Sequence, residues 1–208
     1  LPPPRASNPE VNEFMKLSIL ILPLLLSALT PLSAEELLKA TDFVKGKGGW
    51  QGPGTVVYLS DDGKEQSLPS ANTTAVLRVK LSANRWSVLE SRVRLDRKQS
   101  SALFVIELQS SPDFAPQAES KEYSDEDFSE GGEYGWSARI FPKAGFLIQL
   151  SENGGWQYRP KTLSADSGWK TISAQFKKLK SKLNETLALC LPPGAGFVDI
   201  KSVSLTAQ

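Results

Sequence analysis

Six aromatic side chains dominate the chemistry on offer: Trp50, Trp86, Trp136, Trp156, Tyr158 and Trp169. A flat ring packs against the apolar C–H face of a sugar, and the sugar's hydroxyls then need amides, acids or guanidinium groups close by. Asn84-Arg85-Trp86 puts donors, an acceptor and a ring in one stretch. Trp136 and Trp156 follow glycine-rich segments, and Tyr158 and Arg159 lie just beyond Trp156. The expected ligand-contacting set is therefore Asn84, Trp86, Trp136, Trp156, Tyr158 and Arg159. The competing reading of each ring is packing, because large aromatics also dominate β cores.

Carboxylates are the second source of chemistry. "EYSDEDFSEGGE" carries Glu122, Asp125, Glu126, Asp127, Glu130 and Glu133. Asp125 and Asp127, two apart, would share a strand face as a glycosidase acid–base pair does. Their polar, glycine-bounded surroundings favour a solvated loop instead, with a calcium-ligating loop over 119–133 as the alternative. The basic run from Lys177 to Lys182 reads as a solvated connection. The sequence has no histidine, which removes Ser-His and Cys-His pairs and histidine zinc sites. Cys190 is the single cysteine, flanked by Leu189 and Leu191, and reads as a small buried apolar residue. No phosphate loop, dinucleotide fingerprint or nucleophile elbow occurs. No enzyme activity and no cofactor are expected.

These groups must be positioned by a chain of 208 residues with a net charge of +1. That near-balance argues against nucleic acid as the main partner. Residues 15–34, "MKLSILILPLLLSALTPLSA", have the layout of a signal peptide: one charge, an apolar run, then smaller residues up to Ala34. Pro23 interrupts the run, which falls short of the roughly 20 residues of a membrane span. The expectation is export to a periplasm or the exterior, with cleavage near Ala34 and no membrane span in the mature chain. Residues 1–14 read as an upstream extension, leaving 35–208 as one domain.

After Ala34 helical periodicity is scarce, "EELLKA" being the one candidate for a helical turn. Short strand-like runs follow: 54–60, 74–81, 86–96 and 101–110, the last apolar enough to suggest burial on both faces. Beyond the long irregular stretch 111–135, strand-like segments resume from "WSARIFP" through "AGFLIQLSE", "GGWQYRP", "GWKTISAQFK" and "TLALCLPP" to "GFVDIKSVSL". About nine or ten short strands divided by Gly and Pro indicate an all-β sandwich or barrel.

Three of these phrases together resemble jelly-roll carbohydrate-binding modules of the galactose-binding-like superfamily. "DFVKGKGGW" (42–50) is similar to their opening motif, "GWKTISAQFK" (168–177) to an aromatic-led strand, and "LALCLPPGAGFVDIKSVSL" (187–205) to their closing pair. The order is kept from Asp42 to Leu205. The resemblance implies an antiparallel jelly-roll β-sandwich, a polysaccharide or other glycan as partner, and packing rather than ligand contact for Trp169. It also points to an acid near the closing strand that commonly serves a structural calcium. Lys201 and Ser202 occupy that place here, with Asp199 one step earlier, and an ammonium cannot ligate Ca²⁺. The leading expectation is an exported, non-catalytic carbohydrate-binding β-sandwich. The alternatives are a cell-envelope module that binds another protein without sugar, and a small jelly-roll glycoside hydrolase.

Overall fold

Strand propensity, not helix, governs the chain: apolar residues recur at every second position, and the glycines and prolines fall between runs. The computed structural model describes residues 35–38, 42–95, 100–117, 145–180 and 184–208. They belong to a unit spanning Ala34–Gln208 and contain no helix.

Six strands form one antiparallel sheet. They are β1 (Thr55–Ser60), β2 (Glu65–Gln66), β3 (Thr73–Lys80), β5 (Ser101–Ser110), β9 (Lys170–Lys177) and β12 (Phe197–Ala207). Their order is β2-β1-β3-β12-β5-β9. Four more, β4 (Ser87–Arg94), β7 (Gly145–Glu152), β8 (Gly155–Thr162) and β10 (Asn184–Leu191), make a second sheet in the order β4-β10-β7-β8. A two-residue ladder joins β6 (Ala115–Pro116) to β11 (Gly194–Ala195). The antiparallel sandwich expected from the sequence is present, and its closing strand β12 lies in mid-sheet between β3 and β5.

The facing sides of the two sheets supply one apolar core. Leu77 and Val79 of β3, Phe104 and Ile106 of β5, and Leu205 of β12 meet Leu89 of β4, Ile148 and Leu150 of β7, and Leu187 of β10. All are essentially removed from solvent. Burying a side chain of this size stabilises the fold by about 1.5–3 kcal/mol. Phe43 and Trp50, from the segment before β1, join this core. Trp50 is thus a packing residue, and its buried indole N–H has no hydrogen-bond partner.

Two expectations are corrected. β5 is not buried on both faces: its burial alternates strictly, with Ala102, Phe104, Ile106 and Leu108 inside and their neighbours half-exposed. The outward Leu103 and Val105 make the run look apolar throughout, but only one sheet face meets the other sheet. Nor do residues 35–38 of "EELLKA" form a helical turn. Glu36 bridges Thr206, Leu37 N–H donates to the Leu205 carbonyl at 2.8 Å, and Leu37 and Leu38 are buried. Extended pairing against free backbone of β12, with two leucines covered, outweighs an isolated helical turn.

Candidate functional site

The outward side of the four-stranded sheet is where the structure gathers aromatic residues. Antiparallel register puts partners on the same face, and alternation sends every second residue outward. One row crosses the sheet as Val88, Cys190, Leu147 and Pro160. The next runs Glu90, Ala188, Gln149 and Tyr158. Along β8 the row after that brings Trp156 opposite Ser151.

This face is not simply solvated. Leu147, Ala188 and Cys190 form a small buried patch with Trp86, Val88 and Tyr158 packed against it. Ala188 and Cys190 of β10 and Leu147 of β7 thus form a floor that side chains from both edge strands cover. Burial pushes the Cys190 thiol up to about 12, with the charge of Glu90 adding to the shift. The thiol is therefore un-ionised and inert at neutral pH. Burial, and secondarily Cys190, also raises the Tyr158 phenol above its usual range, so Tyr158 stays a hydrogen-bond donor. Trp156 is freer, at 41% exposed.

The hairpin that presents Trp156 is tightly specified. Asn153 and Gly154 have φ of 50° and 80°, as the two central residues of a type I′ turn require. The buried Glu185 carboxylate accepts from the Ser151 hydroxyl and from the Asn153 N–H at 3.1 Å. Glu152 accepts from the Lys180 N–H on the other side of the hairpin. Gln149, half-buried between Ala188 and Tyr158, supplies an amide to the centre of the face.

At the β4 edge of the face the surface opens into a depression of about 680 Å³. Pro53, Lys80, Ser82, Asn84, Arg85 and Trp86 line it together with the start of β4. Ser82 and Arg85 bridge across a two-residue turn, so Asn84 stands at its tip. Gly52 is required beside it: its φ is 123°, and a Cβ there would meet the Val88 carbonyl oxygen at 2.3 Å.

Of the residues expected to contact ligand, Asn84 and Trp86 therefore meet at the depression, and Trp86, Tyr158 and Trp156 share one face. Arg159 does not join them. Next to Tyr158 on β8, it must point the opposite way. Its guanidinium lies 5.1 Å from the Phe176 ring centroid and donates to the Gln175 carbonyl at 2.7 Å, reaching from β8 to β9. Trp136 lies outside the described residues, as do the acidic segment 119–133 and its calcium and catalytic readings. Sequence reasoning missed Gln149 and Lys80. Gln149 was signalled as the one polar residue inside the apolar run "GFLIQL"; Lys80 lies on the other sheet, and only the fold brings it alongside Arg85.

The calcium position suggested by the closing strand has a different occupant. Both oxygens of the buried Asp199 carboxylate are engaged by Arg78, at 2.7 and 2.9 Å. Lys201, at a β-bulge in β12, pairs with Glu107 at 2.9 Å. Among the described residues no three Asp, Glu, Cys or His side chains group as a metal site would need. These residues do not suit Ca²⁺.

No family model matches the chain, and no curated protein does. Solved structures do resemble it. The CBM22-1–CBM22-2 tandem domain of Paenibacillus barcinonensis Xyn10C superposes with a TM-score of 0.50 at 12% identity, over 84% of this chain and 45% of that one. The arabinose-bound α-L-arabinofuranosidase MgGH51 gives 0.50 at 9% identity, over 83% of this chain and 26% of that one. TmCBM61, solved in complex with β-1,4-galactotriose, gives 0.48 at 10% identity, over 84% of this chain and all of that one. At these identities the likeness is one of fold. The chain has the jelly-roll β-sandwich fold of carbohydrate-binding modules.

Proposed function

We propose that this protein is an exported, non-catalytic carbohydrate-binding module whose glycan lies across the outward face of the four-stranded sheet. The observation that carries this reading is the placement of Trp86, Tyr158 and Trp156 on that face, with Trp86 and Tyr158 packed against a floor of buried apolar residues, Leu147, Ala188 and Cys190. Ring faces would stack on Tyr158 and Trp156, while Gln149 and Asn84 would meet hydroxyls. The backbones of β4 and β8, three strand spacings apart, are separated by about 14 Å, a width suited to a short run of sugar residues. The fold shared with carbohydrate-binding modules supports the reading.

Affinity gel electrophoresis against a panel of soluble polysaccharides tests it. Retardation by one glycan class is expected, and it should weaken in Trp156→Ala and Tyr158→Phe. Mobility unchanged by every glycan would overturn the proposal.

A further inference from the structure

The depression at the β4 edge has a charge character that neutral-sugar binding does not need. Two cations line it, Lys80 from the end of β3 and Arg85 from the β3–β4 turn, and both are exposed. Among the described residues its lining includes no carboxylate. Four ion pairs join described residues: Lys64–Asp62, Arg78–Glu65, Arg78–Asp199 and Lys201–Glu107. None of them uses Lys80 or Arg85. Elsewhere on these strands an arginine between two carboxylates makes a closed network, so the cations of the depression differ in having no counterion among the described residues.

The remaining lining narrows the ligand. Trp86 offers an aromatic surface, Asn84 an amide and Ser82 a hydroxyl beside the two cations. An inorganic anion would need only the charges. A ring bearing an anionic substituent would use all of them, its face against Trp86, its hydroxyls on Asn84 and Ser82, its charge on Arg85 and Lys80. Arginine suits this role because its planar fork matches a carboxylate or sulfate. Glu90, two residues beyond Val88 on β4, faces outward in the row of Tyr158. An anionic group is thereby favoured at the depression and disfavoured further along the face.

Resting on the carbohydrate-binding reading, the geometry points to an acidic polysaccharide as the ligand, with an anionic sugar residue, carboxylated or sulfated, held in the depression by Arg85 and Lys80. Neutral rings of the same chain continue over Tyr158 and Trp156.

The test compares polygalacturonate, its carboxyl-reduced form and dextran sulfate as ligands of the full chain, by affinity electrophoresis and titration calorimetry at low salt and at 0.5 M salt. Tighter binding of polygalacturonate than of its reduced form, weakened about fivefold by Arg85→Gln and further by Lys80→Gln, supports the inference with a carboxylate. The same pattern with dextran sulfate alone supports it with a sulfate ester. Equal binding of the charged and reduced polymers, unchanged in Arg85→Gln, overturns it while leaving the glycan-binding reading intact. Binding of an acidic polymer that Arg85→Gln and Lys80→Gln leave unchanged also overturns it. Failure of every polymer, neutral or acidic, overturns both. Urea unfolding of the two variants should match the unaltered protein, since neither side chain supports the core.

Discussion

The two outward faces of the sandwich use their polar groups in opposite ways. On the six-stranded sheet, charge is closed on itself: Glu65, Arg78 and Asp199 form a chain across three strands, with Arg78 stacked 4.1 Å from the Phe197 ring centroid and Gln109 donating to Asp199 at 3.3 Å. All four ion pairs of the described residues lie on this sheet or its β1–β2 turn. Its exposed ring, Trp169, has Lys201 5.6 Å from its centroid. Beside the β4 edge of the four-stranded sheet, Arg85 and the Lys80 that β3 brings alongside it make no ion pair among the described residues, and Tyr158 packs over an apolar floor on that sheet's outward side. A satisfied network rigidifies a scaffold, whereas unsatisfied exposed groups remain available to another molecule. The contrast fits the proposed reading, in which the first face is scaffold and the second carries the site.

Substitutions can break that contrast. The largest effect is expected from Arg78→Met. It strands the Asp199 carboxylate, 1% exposed, with only Gln109 for company. A cost of about 3–5 kcal/mol is expected in urea unfolding, with glycan binding by the surviving folded fraction unchanged. Lost binding at full stability would erase the division of labour between the faces.

Alkaline pH probes the floor of the site. Folding holds the Cys190 proton to about pH 12, above the unfolded thiol's value near 9. Between those limits the unfolded state binds fewer protons than the folded one, so stability falls as pH rises, by about 1.4 kcal/mol per pH unit from this group. Below pH 9 the term vanishes. Cys190→Ala should flatten the slope measured by urea unfolding at pH 9 to 11.

Trp156→Ala should weaken glycan binding about tenfold while changing stability by less than about 0.5 kcal/mol. Trp169→Ala supplies the matching control on the other face. It should cost about 0.5–1 kcal/mol through the lost contact with Lys201 and leave glycan binding as it was. Equal binding losses in the two variants would mean that both faces hold sugar.

Much of the scaffold was legible because strand patterning is local. The alternation in "TAVLRVKL" and "GFVDIKSVSL" names inward residues without knowledge of partners, and the Asp62-Gly63 turn is closed as a β1–β2 hairpin, with Gly63 N–H donating to Ser60 at 2.8 Å. The site was legible only in fragments. Trp156 and Tyr158, two apart on one strand, had to share a face. That Trp86 joins them depends on the order β4-β10-β7-β8, which no local pattern encodes. Arg78 and Asp199 meet across 121 residues for the same reason. Arg159 is a different case: strand alternation alone separates it from Tyr158, but proximity in sequence suggested partnership.

The clamp that Arg159 makes has a consequence for self-association. β8 and β9 are the terminal strands of their sheets, and a terminal strand offers open backbone to any extended chain. Gln157 donates to the Lys177 carbonyl at 2.9 Å and Arg159 to the Gln175 carbonyl at 2.7 Å. Two of the acceptors through which a second molecule would add a strand to β9 are thus already taken by side chains of the neighbouring sheet. A second copy of the chain meeting the sandwich along β9 would find this stretch of edge partly closed to strand addition.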